Sequence, residues 1–216
     1  MILLAVVHVD DVLLSGTRKT IDKFKTKMRE RFNVSELGLL KKHLGVWYDW
    51  KKDKNGEVYV VASMPKLEDE IIELYETAMK KSVKGSETPG YPNKVLSKNT
   101  GETVKMTEYR SLVGKIMYLM TKLAPDLANL ARELAQHLSN PGEEHWKSLE
   151  RMVGYIKAKH YEGLIYRKSK KLRAIAYVDS DYAKNTDDRK SILSGLHTLG
   201  GTLVNCIREP ISVVCK

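Results

Sequence analysis

The stretch ILLAVVHVDDVLLSG, residues 2–16, decides the reading of this chain. Residues 2–7 and 12–14 are β-branched and Leu-rich runs on either side of His8, Val9, Asp10 and Asp11. Two apolar runs about a tight acidic turn predict a β-hairpin, with its first strand buried. Adjacent carboxylates repel each other, so a fold keeps Asp10 and Asp11 ionised only beside a positive charge. Magnesium held by carboxylate oxygens would supply one, and paired metals clamp the attacking and leaving oxygens of an in-line displacement. By residue type alone, a polar turn with two solvated aspartates is the default. The apolar flanks argue instead for a turn held at the edge of a core.

Downstream of that hairpin, Thr17 or Thr20 can cap a helix running to residue 32, with Ile21, Phe24, Met28 and Phe32 on its apolar stripe. Its other face carries Arg18, Lys19, Lys23, Lys25, Lys27, Arg29 and Arg31, either a solvated surface or one that faces phosphates. Residues 43–50 and 57–62 read as strands joined by Asp53, Lys54, Asn55 and Gly56, where Asn-Gly signals a hairpin. A helix over 64–80 follows, with Pro65 in its first turn and Leu67, Ile71, Leu74, Tyr75 and Ala78 on one face.

Residues 84–104 are rich in turn formers and have no apolar period, so they read as a linker. Three helices come next, over 107–122, 125–138 and 142–159. Their stripes, such as Tyr109, Leu112, Val113 and Ile116, or Trp146, Leu149, Met152, Val153 and Ile156, are core stripes. The remainder turns to strand at 163–167, 172–178, 193–199, 202–206 and 211–215, with Gly200 and Gly201 marking a hairpin turn.

The bulk numbers frame these elements. With 216 residues there is material for one large domain or two small ones. Hydrophobic residues at 42% and charged residues at 30% exclude a disordered chain. The net charge of +10 suits a polyphosphate partner. Cys206 and Cys215 form no CxxC and no zinc spacing, so free thiols in a reducing compartment are expected. The six histidines form no metal-ligand cluster. Trp47, Tyr48 and Trp50 among Lys51, Lys52 and Lys54 either pack the strand pair or stack on bases, the former being the default. The apolar start is too short to span a membrane, so no membrane partner is expected, and the location expected is intracellular, cytoplasmic or nuclear.

Longer matches give the aspartate pair a context. Val9-Asp10-Asp11-Val12-Leu13-Leu14-Ser15-Gly16 resembles the catalytic hairpin of copia-type retrotransposon reverse transcriptases, written Tyr-x-Asp-Asp in that family. Residues 39–46, ending His43-Leu44-Gly45-Val46, are similar to the family's Phe-Leu-Gly-Ile stretch, which holds the primer end. Tyr109-Arg110-Ser111-Leu112-Val113-Gly114-Lys115 and Tyr118-Leu119 resemble its connection helix. Pro125-Asp126, Leu138-Ser139-Asn140-Pro141, Glu144-His145-Trp146, Tyr155-Ile156-Lys157, Asp187-Asp188-Arg189-Lys190-Ser191 and Leu199-Gly200-Gly201 continue the pattern in order.

Asp179 ends an apolar run, where sheet enzymes place metal ligands and where an aspartate otherwise caps a turn. Ala176-Tyr177-Val178-Asp179-Ser180-Asp181-Tyr182 resembles the family's Tyr-Ser-Asp-Ala-Asp-Trp, whose first aspartate leads the metal ligands of RNase H. Asp181 is the structural neighbour.

The resemblance implies an α+β fold: partial reverse-transcriptase palm hairpins with a helical thumb and connection, then a partial RNase H-like β-sheet. The implied domains are 1–83 for palm and thumb, 84–104 for a linker, 105–160 for the helical connection and 161–216 for the opening RNase H strands. Asp10, Asp11 and Asp179 are the implied catalytic and metal-ligating residues, with Mg2+ as the metal of the complete enzyme. Leu44, Gly45 and Val46 would grip the primer. Lys23, Lys27, Arg31, Arg167, Lys170 and Lys171 would bind the RNA/DNA template-primer.

The chain also departs from the family. His8 stands where the family has the Tyr of Tyr-x-Asp-Asp, Cys206 where it has Trp, and Arg208-Glu209-Pro210 where it has a Ser-Lys-rich stretch. No third palm carboxylate and no second RNase H carboxylate is recognisable. The expectation is therefore a truncated fragment, inactive without the missing N-terminal half of the polymerase. The competing expectation is a non-catalytic nucleic-acid-binding remnant, or a domesticated element-derived protein.

Overall fold

Thr17 sets the start of the first helix, and its side chain settles which of two threonines caps it. The Thr20 amide donates to Thr17 Oγ1 at 3.4 Å, and Thr20 Oγ1 donates back to the Thr17 carbonyl at 2.8 Å. The structure is a computed structural model that describes residues 2–92, 94–160, 162–169, 171–181 and 191–210. It is α+β with antiparallel sheets, and it divides into two compact units, residues 1–43 and 44–216.

In the first unit, β1 (Leu3–His8) pairs with β2 (Asp11–Gly16) from Leu3 opposite Gly16 to His8 opposite Asp11. Val9 and Asp10 are left as a two-residue turn. Val9 adopts φ 51, a left-handed conformation that a β-branched residue rarely takes. Helix α1 (Arg18–Arg29) ends before Phe32, which is 60% exposed. Lys25 donates to Glu36 at 2.7 Å, and Arg29 bonds the same carboxylate. β3 (Lys42–His43) closes the unit.

The expected burial of the first strand does not hold. Leu4 and Val7 are 64% and 67% exposed. A two-stranded ribbon has two faces and two edges to cover, and α1 packs beside β2. The apolar flanks of the aspartate pair therefore lie open, and the turn is not set in a core.

The second unit opens with β4 (Val46–Lys52) paired to β5 (Val58–Ser63). The connection is built by Asp53: its carbonyl accepts from the Gly56 amide at 3.0 Å, and its Oδ1 accepts from Asn55 and Glu57. Gly56 supplies the φ of 78 that ends such a turn. β6 (Leu164–Arg167) adds to β5, with Tyr59 opposite Arg167 and Ala62 opposite Leu164. The stretch 163–167, placed by sequence with the C-terminal strands, thus extends the β4–β5 sheet. A Cβ on Gly163 would meet the Ala62 carbonyl, which explains glycine there.

Four helices pack on one another and share a core with the buried residues of that sheet: α2 (Pro65–Met79), α3 (Met106–Lys122), α4 (Ala128–Gln136, after a 3-10 turn Pro125–Leu127) and α5 (Glu143–Ala158). Ile71, Tyr75, Leu112, Ile116, Leu149 and Met152 are fully buried at their common interface, each worth about 1.5–3 kcal/mol of transfer free energy. Tyr109 and Trp146 meet edge to face, with ring centroids 5.7 Å apart. Their polar tips are satisfied: Tyr109 Oη donates to the Leu134 carbonyl at 2.9 Å and Trp146 Nε1 to the Val104 carbonyl at 2.8 Å.

The described residues of 84–104 form no helix or strand, as their composition predicts, but they are docked against the helices. The Ser86 amide donates to the Gly154 carbonyl at 3.1 Å and the Val104 amide to the Pro141 carbonyl at 2.8 Å, while Leu96 is buried. In the last sheet, β7 (Ala174–Asp181), β8 (Ile192–Leu199) and β9 (Thr202–Pro210) run antiparallel in that order. Gly200 and Gly201, at φ 61 and 87, make the tight β8–β9 turn. The strand expected at 211–215 and the motif residues Asp187, Asp188, Arg189 and Lys190 lie outside the described residues. Among the described residues no helix is long and apolar enough to cross a membrane.

Candidate functional site

The β1–β2 register fixes where the two aspartates sit. Asp10 is the second turn residue, and Asp11 is the first residue of β2, opposite His8. His43 Nδ1 lies 3.7 Å from an Asp11 carboxylate oxygen; the imidazole is 10% exposed and the carboxylate 58%. The sequence reading did not bring these two together. Both belong to stretches that resemble the polymerase, but no spacing rule joins residues so far apart in the chain. A protonated His43 would supply the positive charge that adjacent carboxylates call for.

Asp10 and Asp11 offer the carboxylate oxygens that magnesium prefers, and the His43 imidazole does not. Magnesium asks for near-octahedral hard oxygen ligands. Among the described residues no group of three or more His, Cys, Asp or Glu side chains is placed to hold a metal ion. The donor set here would need ligands from elsewhere.

Asp179 stands on β7, exposed and opposite Ser194, and its Oδ1 accepts from the adjacent Ser180 amide at 2.9 Å. No group of three or more His, Cys, Asp or Glu side chains forms around it among the described residues.

Leu44, Gly45 and Val46 form a tight local device. Leu44 and Gly45 both lie in the left-handed region, at φ 49 and 79, as in a two-residue β-turn, and Val46 is buried directly after them. The Leu44 carbonyl accepts from Tyr118 Oη of α3 at 2.9 Å, and the Lys122 ammonium lies 5.6 Å from the centre of the Tyr118 ring.

The basic candidates divide by their neighbours. Lys25 and Arg29 are engaged by Glu36, whose carboxyl is held below its ordinary range first by the Lys25 hydrogen bond. Lys23, Lys27 and Arg31 are exposed, four residues apart along one side of α1 and just past its end. Arg167 stacks over Tyr59, 4.7 Å from the ring centre, and faces Asp53 at 3.9 Å. The Lys171 amide donates to Ser169 Oγ at 3.3 Å, leaving its ammonium to solvent. Lys170 lies outside the described residues.

A cavity of about 240 Å³ opens elsewhere, between the end of α3, α5 and β6. At its rim Tyr155 donates to Asp126 at 2.5 Å, and that bond to a carboxylate pushes the phenol up to about 12. None of the candidate residues lines it.

Comparison with known proteins finds relatives over most of the chain. The chain is 26% identical over 211 residues, 94% of its length, to the retrovirus-related Pol polyprotein from transposon TNT 1-94 of Nicotiana tabacum. It is 29% identical over 189 residues to the corresponding polyprotein from transposon RE2 of Arabidopsis thaliana. It spans 15% and 12% of the length of those two polyproteins. Over 102 residues, 47% of this chain, it is also 34% identical to the secreted RxLR effector protein 161 of Plasmopara viticola, and covers 72% of that protein. No family model matches the chain, and no solved structure matches it.

Proposed function

The chain belongs to the Pol polyprotein family of retrotransposons, and on that footing we propose that it is a piece of a copia-type RNA-directed DNA polymerase. Asp10 and Asp11 are then the paired aspartates of nucleotidyl transfer in the complete enzyme. Leu44, Gly45 and Val46 seat the primer end, and residues 161–216 open an RNase H domain in which Asp179 is the first carboxylate. What supports this reading is the β1–β2 turn: it sets two exposed carboxylates side by side at a hairpin tip, open to a polynucleotide.

By itself the chain does not polymerise. Asp10 and Asp11 lack a third carboxylate among the described residues, so Mg2+ would be completed only by groups that the missing half of the polymerase brings. Template-primer RNA/DNA and that half are the expected partners, inside the cell in cytoplasm or nucleus. Primer extension on an RNA template with magnesium tests this, comparing the chain with an Asp10→Asn/Asp11→Asn variant. Neither should extend the primer. Extension by the unaltered chain that the double variant loses would show a complete site and overturn the claim of inactivity.

A second reading is a non-catalytic nucleic-acid-binding remnant or domesticated protein. The side of α1 that carries Lys23 and Lys27 favours it, because those ammonium groups are presented to solvent while their neighbours are held by Glu36.

A further inference from the structure

The outer face of the β4–β5–β6 sheet carries a row of side chains that neither aspartate site uses. Pairing sets Lys51 opposite Tyr59 and Tyr59 opposite Arg167. Directly opposed residues share a face, so an aromatic ring lies between two cations across three adjacent strands.

The other face of the sheet is turned to the core: Val46 and Ala62 are buried, and Tyr48, Leu164 and Tyr166 pack against it. The outer face is open. Ile165, opposite Val61 in the next row, is 46% exposed, and Lys51 and Arg167 are both exposed. The Arg167 guanidinium lies over the Tyr59 ring, 4.7 Å from its centre. Its contact with Asp53, at 3.9 Å, is long for a charge-assisted hydrogen bond. Beyond Arg167 the chain runs into Lys168 and Lys171, which are exposed. Against these cations stand Asp49, in the row of Val61, and Asp53 in the turn.

We infer that the Lys51–Tyr59–Arg167 row is a stacking site for an unpaired base of single-stranded nucleic acid. The stacked ring and guanidinium offer a flat surface to the face of a base, and Lys51 and the basic end of β6 meet the flanking phosphates. A duplex hides its base faces in its own stack, so single strands are the favoured ligand. The partner class rests on the nucleic-acid reading above, while the site itself is independent of Asp10 and Asp11.

The test is the anisotropy of labelled oligo(dT) and oligo(rU) bound to the full chain over a range of salt, beside a duplex of equal length. Tyr59→Leu should weaken single-strand binding about tenfold, with the salt slope unchanged. Tyr59→Phe, which keeps the ring, should bind like the unaltered chain. Lys51→Ala should reduce the salt slope by about 1. Should Tyr59→Leu not fold, crosslinking of an iodouridine-substituted strand to the unaltered chain must map to the peptide holding Tyr59. No single-strand binding, equal binding by Tyr59→Leu, or a crosslink mapped elsewhere overturns the proposal. The two readings fail separately: primer extension by the unaltered chain overturns the claim of inactivity and leaves the stacking site untouched, whereas equal binding by Tyr59→Leu overturns the stacking site alone.

Discussion

Tyr118 of α3 donates its phenolic hydrogen to the carbonyl of Leu44 at 2.9 Å, pinning a backbone that turns through two left-handed residues. Gly45 adopts such a conformation at no steric cost, but Leu44 does not. The bond therefore holds in place a turn that its own sequence resists. Tyr118→Phe should lower stability by about 0.5–1.5 kcal/mol, and Leu44→Gly should recover part of that loss by relieving the strain. Urea unfolding of the two single variants and the double variant measures both. Equal stability of Tyr118→Phe and the unaltered chain would mean that the bond contributes nothing.

Gly154 reverses a familiar rule. Alanine in place of a mid-helix glycine usually stabilises by roughly 1 kcal/mol. At this position a Cβ would run into the carbonyl of Lys84, where the irregular stretch crosses α5. Gly154→Ala should instead destabilise, by about 1–3 kcal/mol on the scale of overpacked sites. Thermal unfolding gives the sign directly, and a raised midpoint would show that residues 84–86 are not held against α5.

These two sites show what the sequence made legible. The helices were readable because their stripes repeat every three to four residues: Tyr109, Leu112, Val113 and Ile116 are buried as the period predicts. The turns at Gly56 and Gly200-Gly201 were readable because only certain residues take positive φ cheaply. The exposure of β1 was not readable, since an apolar run is the same string whether or not another element covers it. The docking of residues 84–104 was also hidden, because backbone bonds such as Ser86 to Gly154 carry no side-chain signature. For the candidate site, the aspartate pair was visible in the string, but the approach of His43 to Asp11 depends on tertiary placement.

The start of α5 should make stability depend on pH. His145 is buried; its Nδ1 accepts from the Gly142 amide at 2.9 Å, its Nε2 bonds the Ser97 carbonyl at 2.9 Å, and its ring stacks on His137 with centroids 4.0 Å apart. Burial lowers its pKa first of all; the Ser97 bond and Glu144 oppose that shift, and Lys94 adds to it. A histidine depressed in the folded state takes up its proton more readily when unfolded. Its contribution is thus full above the unfolded value of about 6.5 and is lost as pH falls toward the folded value. Protonation would also remove the acceptor that caps Gly142. Denaturation at pH 7.5 and pH 5 should show the loss in the unaltered chain and a flatter profile in His145→Gln. A profile as steep in the variant would assign the effect to other groups.

The basic side of α1 makes the last distinction, between lysines that are available and one that is engaged. Lys23 and Lys27 are exposed, whereas Lys25 is held by Glu36 at 2.7 Å. A lysine that neutralises a phosphate releases about one counterion, so its removal should flatten the plot of log affinity against log salt by about 1. Lys23→Ala and Lys27→Ala should each do so for binding to RNA or DNA. Lys25→Ala should change the slope less, because that ammonium already has a carboxylate partner. Anisotropy titrations between low and moderate salt give the three slopes. If all three are equal, ion pairing within the unit does not sort these lysines, and the helix face binds as an undifferentiated field of charge.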